Sequence, residues 1–279
     1  MSTPAANFNE REHVICQIAR LVEERYIYWV GGGGEPLSAA LLAKQVHAPN
    51  LQYLTEDGVV GPEPLVPFDP LMTMIAARAN YRALQWQTMN YAADVAHLGY
   101  VDYGILATLQ VDRYGNVNST VVGKYEGGEG RRFGGPGGAD TIAALAWRTI
   151  LVTDQQKRKF VERNDFISSP GFLDGPGARE RAGLPPGTGP WRVYTPWAMF
   201  GYDIDCQLML QGISPFVTVD QVLEEMSFKP KIAPKLERLE VPTEEELMVL
   251  RTKIDVAGQV TDRGRWIEHR DGKYVFADR

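Results

Sequence analysis

Only two cysteines, Cys16 and Cys206, occur in 279 residues, and neither stands in a Cys-x-x-Cys or a metal-ligand spacing. Such a chain has no disulfide framework, and a reducing cytoplasm is its expected compartment. Histidine is almost as sparse: His13, His47, His97 and His269 are scattered, with no His-x-x-x-His and no Cys/His cluster, so no metal site is expected. No apolar run approaches the length that crosses a bilayer, which excludes a membrane partner from the reading. The first nine residues lack a basic stretch followed by an apolar one, so no signal peptide is read. Basic residues are outnumbered, 29 Lys and Arg against 35 Asp and Glu, and the net charge is −6. No Lys/Arg cluster lays a track for phosphates, so no nucleic-acid partner is expected. Internal repeats and low-complexity linkers are absent as well.

What is present is an ordinary globular composition, 44% hydrophobic and 23% charged, with 28 glycines and 18 prolines to make turns. One α/β domain over residues 1–279 is the economical reading, with residues 256–279 a charged C-terminal extension that reads as an arm. Residues 9–24 read as a helix capped by Asn9, with Val14, Ile15, Ile18, Leu21 and Val22 on one face. An aromatic and β-branched strand at residues 26–30 then runs into Gly31-Gly32-Gly33-Gly34 and a helix over residues 36–46. That arrangement has two readings, a tight turn without a ligand or a loop whose N–H groups meet an anion. It is not G-x-G-x-x-G, so a dinucleotide site has little support. Further strands are expected at residues 51–54, 101–109, 117–122, 149–153 and 191–195. Helices are expected at residues 71–80, 141–146, 217–226 and, as a capping box from Thr243 to Glu246, 243–250. The long Gly/Pro-rich stretch from residue 168 to 189 reads as a functional or mobile loop.

The stretch LTEDGVVG, residues 54–61, sets Glu56 and Asp57 side by side between a strand and Gly58. In open α/β sheets chemistry gathers at strand ends, and this turn would put a carboxylate there with little bulk around it. The bland alternative is a solvated acidic turn. A second glycine cluster, GGPGGA at residues 134–139, opens into the helix that follows. The basic run at residues 157–163 reads as a solvated face, with contact to a phosphate of coenzyme A (CoA) as the rival use.

Four stretches together resemble the β subunit of the class I CoA-transferases, most closely the glutaconate CoA-transferase type. They are APNLQYLTEDGVVG (residues 48–61), QVDRYGNVNSTVVG (residues 110–123), GGPGGA (residues 134–139) and FVERNDFISSPGFL (residues 160–173), the last being the most specific. The resemblance spans roughly residues 10–255. It implies a doubly wound, mostly parallel sheet with helices on both faces, and an α-subunit partner in an α2β2 complex or a larger multiple. No tightly bound cofactor is implied; CoA and acyl-CoA enter as substrates.

By the same resemblance Glu56 is the catalytic nucleophile, forming first an acyl-glutamyl anhydride and then a glutamyl-CoA thioester. Gly137 and Gly138, flanked by Gly135 and Ala139, are the first candidates for oxyanion and CoA binding, and Gly32 and Gly33 the second. Trp29, Asp57 and Gly58 are candidates for the substrate pocket, with Asp57 a turn residue rather than a nucleophile. Where family members carry small residues before the first glycine loop, Tyr28 and Trp29 stand here, either as core or as walls for a larger acyl group. The same fold also serves ring-opening hydrolases and decarboxylases of CoA esters, in which the glutamate of this turn is replaced. Hydrolysis of a CoA ester is therefore the alternative activity, and a non-catalytic scaffold the third.

Overall fold

Alternate residues of one short strand face two different hydrophobic cores, and that alternation sets the layers of the molecule. Tyr28 and Val30 point into one core while Trp29 between them points into the other. Ile150 and Val152 are likewise divided from Leu151, and Ile105 from Leu106. A strand buried on both faces requires a layer on each side, which is what a doubly wound sheet supplies.

The computed structural model describes residues 3–66 and 77–277. The chain opens with β1 (Asn7–Asn9) and α1 (Glu10–Ala19), whose capping box joins the Asn9 side chain to Glu12. Then come β2 (Tyr28–Gly31), α2 (Glu35–Val46), β3 (Tyr53–Thr55), β4 (Val59–Val60), β5 (Gln85–Trp86), α3 (Met89–His97) and β6 (Tyr103–Ala107). Short strands β7 (Gln110–Asp112), β8 (Val117–Asn118), β9 (Val121–Val122) and β10 (Arg131–Arg132) lead to α4 (Ala139–Leu145) and β11 (Arg148–Val152). After β12 (Phe160–Val161) and one turn of helix, α5 (Ala178–Arg181), come β13 (Pro190–Tyr194), β14 (Ala198–Tyr202) and β15 (Leu208–Ile213). The chain ends with α6 (Val219–Glu224), β16 (Lys231–Arg238), α7 (Glu244–Val249), β17 (Trp266–Arg270) and β18 (Lys273–Phe276).

Ten strands form the main sheet, in the order β16-β15-β14-β13-β11-β6-β2-β3-β4-β5. Its centre, β13 to β3, is parallel. On one flank β4 and β5 turn antiparallel, and on the other β14 and β15 do the same before β16 returns parallel to β15. The sheet is thus mixed around a parallel centre. Residues of α1, α2 and α7 pack in one core with Tyr28 and Tyr53, and those of α3 and α4 pack in the other with Trp29 and Leu54. Because β2 and β3 are parallel neighbours, the first glycine loop and Glu56 leave the sheet at the same edge.

The tail departs from the arm that its charge suggested. β17 pairs with β1 and β18 with β17, and Ile267 is fully buried. The helix expected at residues 71–80 lies largely outside the described residues, and residues 77–80 are turns. Among the described residues no helix is long and apolar enough to cross a membrane.

Candidate active site

The strand that carries Glu56 stops because the chain reverses at once. The Gly58 N–H donates to the Thr55 carbonyl at 3.1 Å, and the strand returns as β4 with Leu54 opposite Val60. Gly58 has φ +84°, a backbone that L side chains adopt at a cost of about 1–2 kcal/mol. A Cβ there would also lie 2.0 Å from the Thr88 carbonyl oxygen, so the start of α3 rests directly on this turn. Asp57 is held inward: Thr55 Oγ1 donates to one carboxylate oxygen, and Asn80 Nδ2 to the other at 2.5 Å. Asp57 therefore serves the turn.

Glu56, the residue between, is treated differently. It is half-buried, yet among the described residues its carboxylate has no hydrogen bond and no ion pair. Burial raises its pKa above the ordinary 4.5, and the charge of Asp57 raises it further. A structural carboxylate would be paired; this one is desolvated and left open.

The second glycine cluster closes on it. A Cβ on Gly137 would lie 3.0 Å from Glu56 Oε1, and one on Gly138 would lie 3.9 Å from Glu56 Cγ. Gly137 has φ +55° and is exposed, so the carboxylate is reached from solvent past bare backbone. Among the described residues the Gly137 and Gly138 N–H groups have no hydrogen-bond partner, whereas that of Ala139 is engaged by the Pro136 carbonyl at 3.0 Å. Gly135 is a framing residue, its N–H donating to the Ser119 carbonyl at 3.0 Å. Trp29 completes the wall: its Cζ2 lies 3.6 Å from the same Cβ position on Gly138.

A Cβ on Gly32 would meet nothing within 4 Å, Glu56 included, and the four-glycine loop has structural reasons of its own. A Cβ on Gly31 would strike Leu106 at 2.5 Å, and Gly32 and Gly34 have φ +77° and +66°. Glu35, in the first turn of α2, pairs with Arg11 at 2.5 Å, which places a carboxylate of the chain itself at that helix start. Of the two aromatics weighed as pocket walls, Tyr28 is core on the opposite face from Trp29. Asn80 and Thr88, which brace the turn, were not singled out from the sequence, where no local pattern ties either residue to residues 55–58.

Comparison with known proteins shows the family and the fold. The model of the family described as Coenzyme A transferase matches residues 11–225. Over 256 residues the chain is 32% identical to the β subunit of glutaconate CoA-transferase from Acidaminococcus fermentans, covering 89% of this chain and 93% of that protein. It is 30% identical to the β subunit of 3-oxoadipate CoA-transferase from Pseudomonas knackmussii, over 88% of this chain and 92% of the other. The crystal structure of the A. fermentans glutaconate enzyme superposes with a TM-score of 0.81 at 28% identity, covering 92% of this chain and 98% of that one.

Proposed function

The chain belongs to the coenzyme A transferase family as a class I β subunit, and on that basis we propose that Glu56 is the nucleophile that carries CoA between acids. The partner is an α subunit, as the subunit names of its relatives suggest. One observation supports the reading above the rest: an unpaired, half-buried carboxylate lies against the bare backbone of Gly137, where a Cβ would stand 3.0 Å from its Oε1.

The reaction begins when a Glu56 oxygen attacks the thioester carbon of acyl-CoA. The C–O bond forms, the C–S bond breaks, and the products are an acyl-glutamyl anhydride and CoA thiolate. The thiolate then attacks the glutamyl carbonyl, the anhydride C–O bond breaks, and the first carboxylate leaves a glutamyl-CoA thioester behind. An incoming carboxylate reverses both steps with its own acyl group. Every step passes through a tetrahedral oxyanion, and the Gly137 and Gly138 N–H groups are the donors offered to the acyl oxygen. Asp57 tunes the charge at Glu56 and holds the turn; it forms no bond.

The test is trapping. The αβ complex is incubated with acyl-CoA, treated with borohydride, and digested for peptide mass. The expected result is a reduced glutamate within residues 54–61. If acyl groups exchange while that peptide stays unmodified, Glu56 is not the nucleophile. Free acid and CoA appearing without an acceptor, faster than any transfer, would establish hydrolysis instead.

A further inference from the structure

A tryptophan beside the glutamate holds a hydrogen-bond donor that the folded chain does not use. Trp29 is 2% exposed, and its indole Nε1 is buried without a partner. An orphaned buried donor costs about 1–3 kcal/mol, and native structures keep few of them. Phenylalanine would fill most of the same apolar space in the core that Trp29 shares with Leu54, Ile142 and Ala143, without that cost. Several buried side chains of this chain carry an unpartnered polar atom, and Trp29 is one that stands beside Glu56.

Geometry says where the indole lies. Trp29 and Leu54 are register partners on β2 and β3, and Glu56 stands two residues beyond Leu54. The turn that follows β3 at Thr55 leaves Glu56 Cγ near Gly138, the glycine that the Trp29 indole also approaches. The Cζ2 edge of the indole, next to the ring carbon that bears Nε1, lies 3.6 Å from the Cβ position on Gly138, and Glu56 Cγ lies 3.9 Å from that same point. Gly137 meets the far end of the glutamate, at Oε1, where the chain is exposed. The Gly138 position is thus shared by Glu56 and the buried indole edge of Trp29, while Gly137 meets Glu56 on the open side.

The chemistry has a use for two donors. One oxyanion develops on the substrate acyl carbon when Glu56 attacks it. The other develops on Glu56 Cδ itself, when the thiolate attacks the glutamyl half of the anhydride. We propose that the Trp29 indole N–H donates to the glutamyl carbonyl oxygen, and so stabilises the oxyanion at Glu56 Cδ while Gly137 and Gly138 serve the acyl carbon. Trp29 keeps its proton throughout. The S–C bond forms, the oxygen takes the charge against the N–H, and the charge returns to re-form the carbonyl as the carboxylate departs. This inference rests on the covalent role of Glu56 and names the residue that serves its second half-reaction.

The experiment uses the αβ complex with Trp29→Phe. The expected outcome is an unchanged KM for acyl-CoA and a kcat lower on the order of 100-fold, the size of a lost oxyanion donor. The borohydride-trapped Glu56 peptide should then accumulate more slowly by the same factor. A second variant carries benzothienylalanine at position 29, which keeps the bicyclic shape and replaces N–H by sulfur; it should lose the same rate with an unchanged melting temperature. In the native complex, the ultraviolet resonance Raman band sensitive to indole N–H bonding should shift when acyl-CoA is added. Wild-type kcat in either variant overturns the assignment. So does a benzothienyl variant that transfers normally where Trp29→Phe fails to fold, since shape alone would then explain the tryptophan. If the wild-type Glu56 peptide is never labelled, the covalent role of Glu56 fails first. If it is labelled and both variants are normal, the role of Trp29 fails alone.

Discussion

A carboxylate that attacks a thioester must be ionised, and the surroundings of Glu56 oppose ionisation. Burial withdraws water from the charged form, and the Asp57 carboxylate next to it adds repulsion, so the pKa stands above the ordinary 4.5. The sign follows directly. A raised pKa means that protonation begins at a higher pH, and kcat/KM falls as pH drops through that raised value. An Asp57→Asn substitution removes the smaller contribution and leaves the burial in place. It is expected to move the acid limb of the profile down, toward but not as far as the ordinary value, while the hydrogen bond from Asn80 passes to the remaining side-chain oxygen. The measurement is kcat/KM for acyl-CoA against pH in both forms of the αβ complex. An acid limb that stays where it was, or moves upward, would mean that Asp57 does not act on the group that titrates. Raised basicity has a use as well: a carboxylate of higher pKa is the better nucleophile once it is ionised.

At the scale of elements, two glycines with similar backbones are expected to fail in different ways. Gly58 and Gly137 both have positive φ, +84° and +55°. An alanine at 58 would drive its Cβ to 2.0 Å from the backbone of Thr88, so β4, β5 and the start of α3 have to move. An alanine at 137 meets only the end of a flexible side chain, Glu56 Oε1, at 3.0 Å. Gly58→Ala should therefore lower stability by about 2–4 kcal/mol, and Gly137→Ala by about 1 kcal/mol while lowering transfer by about 100-fold. Thermal denaturation and transfer rates on the two variants check this. A Gly137→Ala enzyme with normal transfer would remove the glycine cluster from the site. Elements with a local signature were legible in the chain: the capping residues Asn9 and Thr243 both close capping boxes, and β2, β3, β6 and β11 fall inside or close to the apolar runs that suggested them. β14, β15 and β16 were not. Along β15 Met209 and Ile213 are apolar on the more open side, which hides the alternation, and β16 is a largely exposed edge of charged residues. The site was legible as pieces. Glu56 and the glycines stood out one by one, but their contact depends on β2, β3 and α4 being neighbours, and the unpartnered Nε1 of Trp29 exists only in the packed core.

For the molecule as a whole, the closing segment carries more than its composition suggests. Charge in residues 256–279 gave the appearance of an arm, because among the described residues the charged side chains are mostly the ones turned outward. Between them Ile267 is fully buried, and Tyr274 and Phe276 pack on Phe8 and Phe216 with ring centroids 5.7 and 5.4 Å apart. Arg265 reaches back to Glu10 at 2.8 Å and lies over the Phe276 ring at 3.9 Å. Removing residues 265–279 would strip the partner from β1 and open the aromatic cluster around Phe8. Each large apolar side chain lost from such a place costs about 1.5–3 kcal/mol, against a total stability of about 5–15 kcal/mol. The Arg265–Glu10 pair adds little by comparison, being half-exposed on the arginine side. The truncated chain is accordingly expected to melt at least about 10 °C lower, at about 2–4 °C per kcal/mol for a chain of this size. A milder change separates packing from chain length: Ile267→Ala should account for about 2–4 kcal/mol alone, with every residue still present. If both variants melted with the intact protein, the strands would be ornament and the arm reading would stand. If only the truncation lowered stability, pairing to β1 rather than the buried isoleucine would be what fastens the two ends of the chain together.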